Sequence, residues 1–310
     1  MKLLKALTII VLAMAAAAGA KAQEQEQQGA NGEAFTFMRL DRSPVTSAMA
    51  GAGFSMTKGN FAYSAFGNPA AAAFMDKTVS AAANYRSWAP GILDEQHITA
   101  AFAVKPIGDL AIIAGYTKGI QPQLDEEDPF RPNDNNFTLG AAYAVTGSIG
   151  LGVNWHYVYQ SLLEDYKLSG WAVDAVAHYA GDNFNLAGGV VSIGPKVVSQ
   201  QSGAYPLPAS AKIAGDYTLS FDAIRITAAA DADYYFNSGN WGVSGGAQVG
   251  LAGMVFFRAG GRYAPAGSAI PTHIAVGGGL KYRFITLDMS YITMNSIIGN
   301  SIMGGISISL

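Results

Sequence analysis

The chain has 310 residues, a net charge of −3, no cysteine, and 13% charged residues set against 37 glycines and 15 tyrosines. Soluble domains carry roughly 25% charged residues, so this composition speaks against one, and nothing in the charge supports nucleic-acid binding, which wants a clustered basic face. Without cysteine there is neither a disulfide framework nor a lipid-modified N-terminal cysteine.

In chain order, residues 1–22 come first: Lys2 and Lys5, an apolar run from Ala6 to Ala18, and the A-x-A pattern Ala20-Lys21-Ala22. This is the layout of a secretory signal peptide. Residues 23–33 form a polar linker. Residues 34–76 carry the glycine-rich Gly51-Ala52-Gly53 and then Asn68-Pro69 followed by four alanines. Asn68 suits a helix cap, Pro69 the first helical position, and alanine is the best helix former. A short helix in that place predicts a compact plug, with Gly51, Gly53, Asn68 and Pro69 shaping it, because a helix satisfies its own backbone groups without a strand partner. Ser55-Met56-Thr57-Lys58 matches S-x-x-K, but the companion S-D-N and K-T-G motifs are missing, so no catalytic role follows.

From residue 77 to 310 the pattern has period two. Ile149, Leu151, Val153, Trp155, Tyr157 and Tyr159 alternate with small or polar residues, and similar segments recur to Ile306, Ile308 and Leu310. About fourteen segments of roughly ten residues fit the chain, starting near 77, 96, 109, 136, 148, 169, 183, 209, 223, 240, 252, 272, 284 and 301. No stretch beyond the signal peptide reaches the roughly 18–20 apolar residues of a membrane helix. The expected fold is all-β: a transmembrane antiparallel up-and-down β-barrel with an N-terminal plug containing a short helix. Tight connections at Thr146-Gly147-Ser148, Gly181-Asp182 and Gly250 alternate with longer ones at 120–135, 194–208 and 263–271, as in barrels with short periplasmic turns and long outer loops.

Charges within strands fall mostly in the inward phase: Asp174, His178, Lys212, Asp216, Arg225, Asp231, Arg258, Arg262, Lys281, Arg283 and Asp288. An Arg or Lys facing lipid at mid-bilayer costs about 2–4 kcal/mol, so these residues are expected to fill and brace the lumen or to line a polar path. Tyr85, Trp88, Trp155, Tyr159, Trp171, Tyr179, Trp241, Tyr263 and Tyr291 read as interfacial girdles. The acidic run Asp125-Glu126-Glu127-Asp128 lacks the EF-hand spacing, and Leu162, Leu163 and Tyr166 place apolar surface at a loop tip; both are candidate partner contacts. His97, His156, His178 and His273 lie on different strands with no metal-ligand spacing. No metal and no cofactor is expected.

The stretch "SAMAGAGFSMTKGNFAYSAFGNPAAAAF" resembles the N-terminal signature of FadL-type outer-membrane proteins, and more specifically of the PorV/PorQ family. "NLAGGVVSIGPKV", "YPLPASAKIAGDY" and "FFRAGGRY" follow in an order similar to that family's strands. The resemblance implies a non-enzymatic barrel in the outer membrane of a Gram-negative cell, bathed in outer-membrane lipid and serving type IX protein secretion. Its partners would be a translocon or attachment-complex proteins and cargo with a C-terminal sorting domain. The alternative is a FadL-like transporter of small hydrophobic molecules, for which an apolar lumenal pocket is the discriminating feature; the inward charges argue against a wholly greasy one.

Overall fold

A computed structural model describes residues 32–57, 61–91, 94–123, 130–199, 203–294 and 299–310. The signal peptide, most of the linker and Asp125, Glu126, Glu127 and Asp128 lie outside the described residues. Fourteen antiparallel strands close into a barrel. The first half runs β1 (Val79–Trp88), β2 (Glu95–Ile107), β3 (Leu110–Ile120), β4 (Asn133–Ala144), β5 (Ile149–Leu163), β6 (Tyr166–Ala180) and β7 (Phe184–Ile193). A small hairpin, β8 (Val197–Ser199) with β9 (Gly203–Tyr205), then interrupts the wall. The second half runs β10 (Ser210–Phe221), β11 (Ile224–Tyr235), β12 (Trp241–Leu251), β13 (Val255–Tyr263), β14 (His273–Tyr282), β15 (Ile285–Thr293) and β16 (Ser301–Ser309). Closure is made by β1 on β16, in the register Ser80↔Ser309 to Ser87↔Ile302.

The alternation explains why a barrel forms. On β5, Gly150, Gly152, Asn154 and His156 are buried, while Val153, Trp155 and Tyr157 are exposed. The outward set continues round the wall through Phe102, Leu139, Ile213, Val243, Phe257, Ile274, Leu287 and Ile306, all exposed. A continuous apolar belt of this size belongs in hydrocarbon. No described helix is long and apolar enough to cross a membrane; the strands do the crossing. Tyr85, Trp155, Trp171, Tyr179, Trp241, Tyr263 and Tyr291 sit on the outward face, but Trp88 is only 6% exposed and points inward, a correction that follows from its phase with Asn84 and Arg86. Gly250 belongs to β12 rather than to a turn, which falls instead at Ala252–Met254.

Inside run residues 34–57 and 61–75. They comprise a 3-10 turn (Thr36–Arg39), a one-turn α-helix (Pro44–Ser47) and two 3-10 helices (Phe61–Phe66 and Pro69–Phe74). Asn68 caps the last one, its Oδ1 accepting from the Ala71 N–H at 3.3 Å, with Pro69 in the first turn. The narrower 3-10 form suits the space available: Gly152 on β5 lies so close to Ala70 that a Cβ there would come 2.3 Å from the Ala70 nitrogen.

Candidate functional site: the plugged lumen

The plug has no strand partner, so its free backbone groups need acceptors and donors from elsewhere. The inward side chains of the wall supply them. Asp231 on β11 accepts the Gly53 N–H at 2.8 Å and the Phe54 N–H at 3.0 Å. Asp216 on β10 accepts from the Ser55 hydroxyl at 2.6 Å, which places that serine in a structural role. Ser244 donates to Ala50 O, and Asn154 to Ser64 O and Ala65 O. Asn84 donates to Arg42 O and to the Tyr63 hydroxyl. Asn68, besides capping, donates to Phe54 O and lies 2.7 Å from His178 Nδ1. Gly53 takes φ +114°, a conformation open to glycine, and this turns its N–H toward Asp231.

Other charges pair within the wall. Arg258 meets Asp288 at 2.7 Å, Arg262 meets Asp233 at 2.8 Å, and the half-buried Lys212 meets the same Asp233 at 2.9 Å. Arg262 also donates to the Tyr235 hydroxyl. His156 bridges Thr138 and Asp174, each at 2.8 Å. Arg225, expected in the lumen, is exposed near the short-turn end, as are Lys281 and Arg283; the inward phase holds at Arg225, but the wall ends there in water. Asp233, Asn84, Arg86 and Arg42 escaped the sequence reading. For Asp233 and Arg86 a signal existed, since they continue the inward phase of Asp231 and Asn84. Arg42 lies in the plug, which has no period to read.

Both ends of the lumen are closed by apolar packing. At the long-loop end, Phe35 and Phe37 pack with Trp88, Val158, Leu168, Val197, Leu207 and Ile292. Arg39 ties this cap down through Glu33 at 2.6 Å and stacks over the Tyr235 ring at 4.3 Å. At the other end, Phe61, Ala65, Ala72, Ala73 and Met75 pack against Ala103, Ala111, Ile113 and Ala142. Leu162 and Tyr166 pack onto the upper cluster, leaving Leu163 of the loop-tip trio exposed. Between the caps lies a cavity of about 190 Å³. Its lining mixes Leu40, Val45, Phe54, Trp88 and Ile292 with Arg42, Arg86, His156, Asp174, Asp233 and Arg262. Burial and the neighbouring Arg86 charge press the Arg42 guanidinium pKa down, against the pull of Asp134, Glu95 and Asp41. Among the described residues no cluster of His, Asp and Glu could hold a metal.

The wall beside the cavity is irregular. The β6–β7 register shifts between Val173 and Ala175, Ser192 takes φ +57°, and its N–H donates to Asp174 Oδ1 at 2.7 Å. Above that bulge β6 extends beyond the reach of β7, and β8 packs near Gly170 instead.

No family model matches the chain, and no curated protein does. Solved structures do. The monoaromatic hydrocarbon channel CymD is 14% identical, with 86% of this chain and 97% of that one covered and a TM-score of 0.59. The Pseudomonas putida toluene transporter TodX is 12% identical, with the same coverage and a TM-score of 0.60. A TodX deltaS2 mutant, also a monoaromatic hydrocarbon channel, is 13% identical over 86% and 98%, with a TM-score of 0.59. At these identities the likeness is one of fold alone, that of a closed β-barrel.

Proposed function

We propose that this chain is a non-enzymatic outer-membrane channel for small hydrophobic molecules. The observation that carries the reading is the partly apolar cavity between plug and wall, in a barrel whose fold is shared over most of its length with hydrocarbon channels. Leu40, Trp88 and Ile292 would give an apolar solute its contacts within the cavity, beside the Arg39–Glu33 pair of the loop-end cap. The β6–β7 bulge beside Val191 and Ser192 interrupts the ladder of the neighbouring wall, and an interrupted ladder opens at lower cost than a regular one.

The test is uptake. Produced in a Gram-negative host that lacks such channels, the protein should raise the initial rate of toluene entry several-fold, and an inactive control barrel should not. An unchanged rate overturns the reading.

A second reading, the secretion role implied by the PorV/PorQ resemblance, is favoured by Leu163 (54% exposed) and Val198 (75% exposed) at the loop end. Mild-detergent pull-down from native outer membranes tests it. Translocon, attachment-complex proteins or sorting-domain cargo should then co-purify.

A further inference from the structure

The residues that lead into the plug are fixed at the loop end of the barrel. The Ala34 N–H donates to Pro206 O at 2.9 Å, in the link between β9 and β10. Glu33 pairs with Arg39 at 2.6 Å and accepts at 3.0 Å from Asn237, just past the end of β11. Phe35, 1% exposed, is locked into the apolar cap. Gly32 is exposed, and a Cβ there would meet nothing within 4 Å.

From there the plug descends in one direction. Met49 faces Gly246 and Gly260, midway along β12 and β13. Phe74 faces Gly150, the second residue of β5, and the Lys105 ammonium donates to Ala73 O at 3.0 Å. Val79 then opens β1 at the short-turn end, where its N–H donates to Leu310 O at 3.0 Å. Short turns mark the periplasmic side of an outer-membrane barrel and long loops the outer side, and both ends of the wall, Val79 and Ser309, lie with the short turns. The plug therefore starts at the outer face and finishes at the inner one. Its start has no room to fold back: a cavity of about 190 Å³ compares with the ~150 Å³ that admits benzene. The run from Gln23 to Asn31 is built of glutamine, glutamate, glycine, alanine and asparagine, and such side chains favour water over a closed site.

We infer that the plug is threaded from outside to inside, with its N-terminal end displayed on the cell surface, so that the chain before Gly32 leaves toward the medium and not toward the periplasm. The protein reaches the outer membrane from the periplasm, so that end has to pass outward during assembly. The Phe35 and Phe61 clusters bar such a passage through the finished lumen, and the wall must close around a plug already in place. The finished plug is held at both ends, on opposite sides of the membrane, and a partner gripping it by Gly32 and Glu33 would do so from outside. The inference holds for a hydrophobe channel and for a secretion component alike.

The chain has no cysteine, so single-cysteine variants of the full protein report position. Intact Gram-negative cells carrying Gly32→Cys, Val198→Cys or Gly147→Cys are treated with a maleimide on a polyethylene glycol too large for porins, and the gel shift is read. Val198 is 75% exposed at the loop end, and Gly147 lies exposed in the β4–β5 turn with nothing within 4 Å of a Cβ. Gly32→Cys should shift on intact cells as fully as Val198→Cys, and Gly147→Cys only once the outer membrane is permeabilised. A Gly32→Cys that shifts only after permeabilisation, or not even then, overturns the inference. So does a reversed pair of controls, which would put the loop end in the periplasm. Unheated gel mobility checks that each variant is a closed barrel; if Gly32→Cys is not, an epitope inserted between Gly32 and Glu33 and read by antibody on intact cells decides in the same way.

Discussion

Gly260 on β13 faces Met49 of the plug so closely that a Cβ would lie 2.3 Å from the Met49 carbonyl oxygen. The obstacle is backbone, which cannot swing aside as a side-chain tip can. Gly260→Ala should therefore destabilise the protein by about 1–3 kcal/mol, the usual cost of overpacking, and a thermal melt should show it. Gly245→Ala on the neighbouring strand, where a Cβ meets open space, should leave the melt unchanged. Asp231→Ala acts by another route. It strands the buried N–H groups of Gly53 and Phe54 at about 1–3 kcal/mol each, and limited proteolysis should then cut within residues 50–57. The period-two alternation puts Asp231 on the inward face, but its partners lie 177 and 178 residues away in the chain. No local pattern encodes that pairing, because the plug has no repeat against which a contact can be phased. Composition holds the same information unresolved: 37 glycines suggest a barrel, without saying that Gly152 and Gly260 are seats for the plug.

At the scale of elements, the strands were legible because each has one face for lipid and one for the lumen, and their observed starts fall within three residues of the expected ones. The plug helix was legible in its start, Asn68-Pro69, but not in its type. Alanine favours an α-helix, and only the wall, which is absent from local sequence, makes the narrower form fit. The β7 bulge was hidden for a related reason. Ser192 is an ordinary strand residue by propensity, yet it takes φ +57° and is held by Asp174 across the β6–β7 step. A β-branched residue tolerates that conformation poorly, so Ser192→Val should lower stability by about 1–2 kcal/mol while Ser192→Gly is neutral or better. Parallel melts of the two variants separate this from any role of the serine hydroxyl, which both lack. Equal losses in both would place the cost in the hydroxyl instead of the backbone.

For the whole molecule the question is why a barrel of this size needs a plug. Eight strands enclose a space that side chains can fill, and sixteen to eighteen leave an aqueous channel; fourteen lie between, too wide to close on their own side chains. The inner wall here carries many polar groups, among them Thr227, Gln248, Arg258, Asp288 and Ser307, so a vacated lumen would fill with water. The segment 34–75 closes it twice, through the Phe35 cluster near the loops and the Phe61 cluster near the turns. The parent protein should therefore pass little ionic current in a planar bilayer. A variant lacking residues 34–75 keeps every strand of the wall and should conduct like an open porin, with current rising in proportion to salt as it does for a water-filled pore. If the deletion variant inserts as a closed, heat-modifiable barrel yet conducts no more than the parent, the wall itself must constrict, and the plug is there to shape the cavity rather than to seal the lumen.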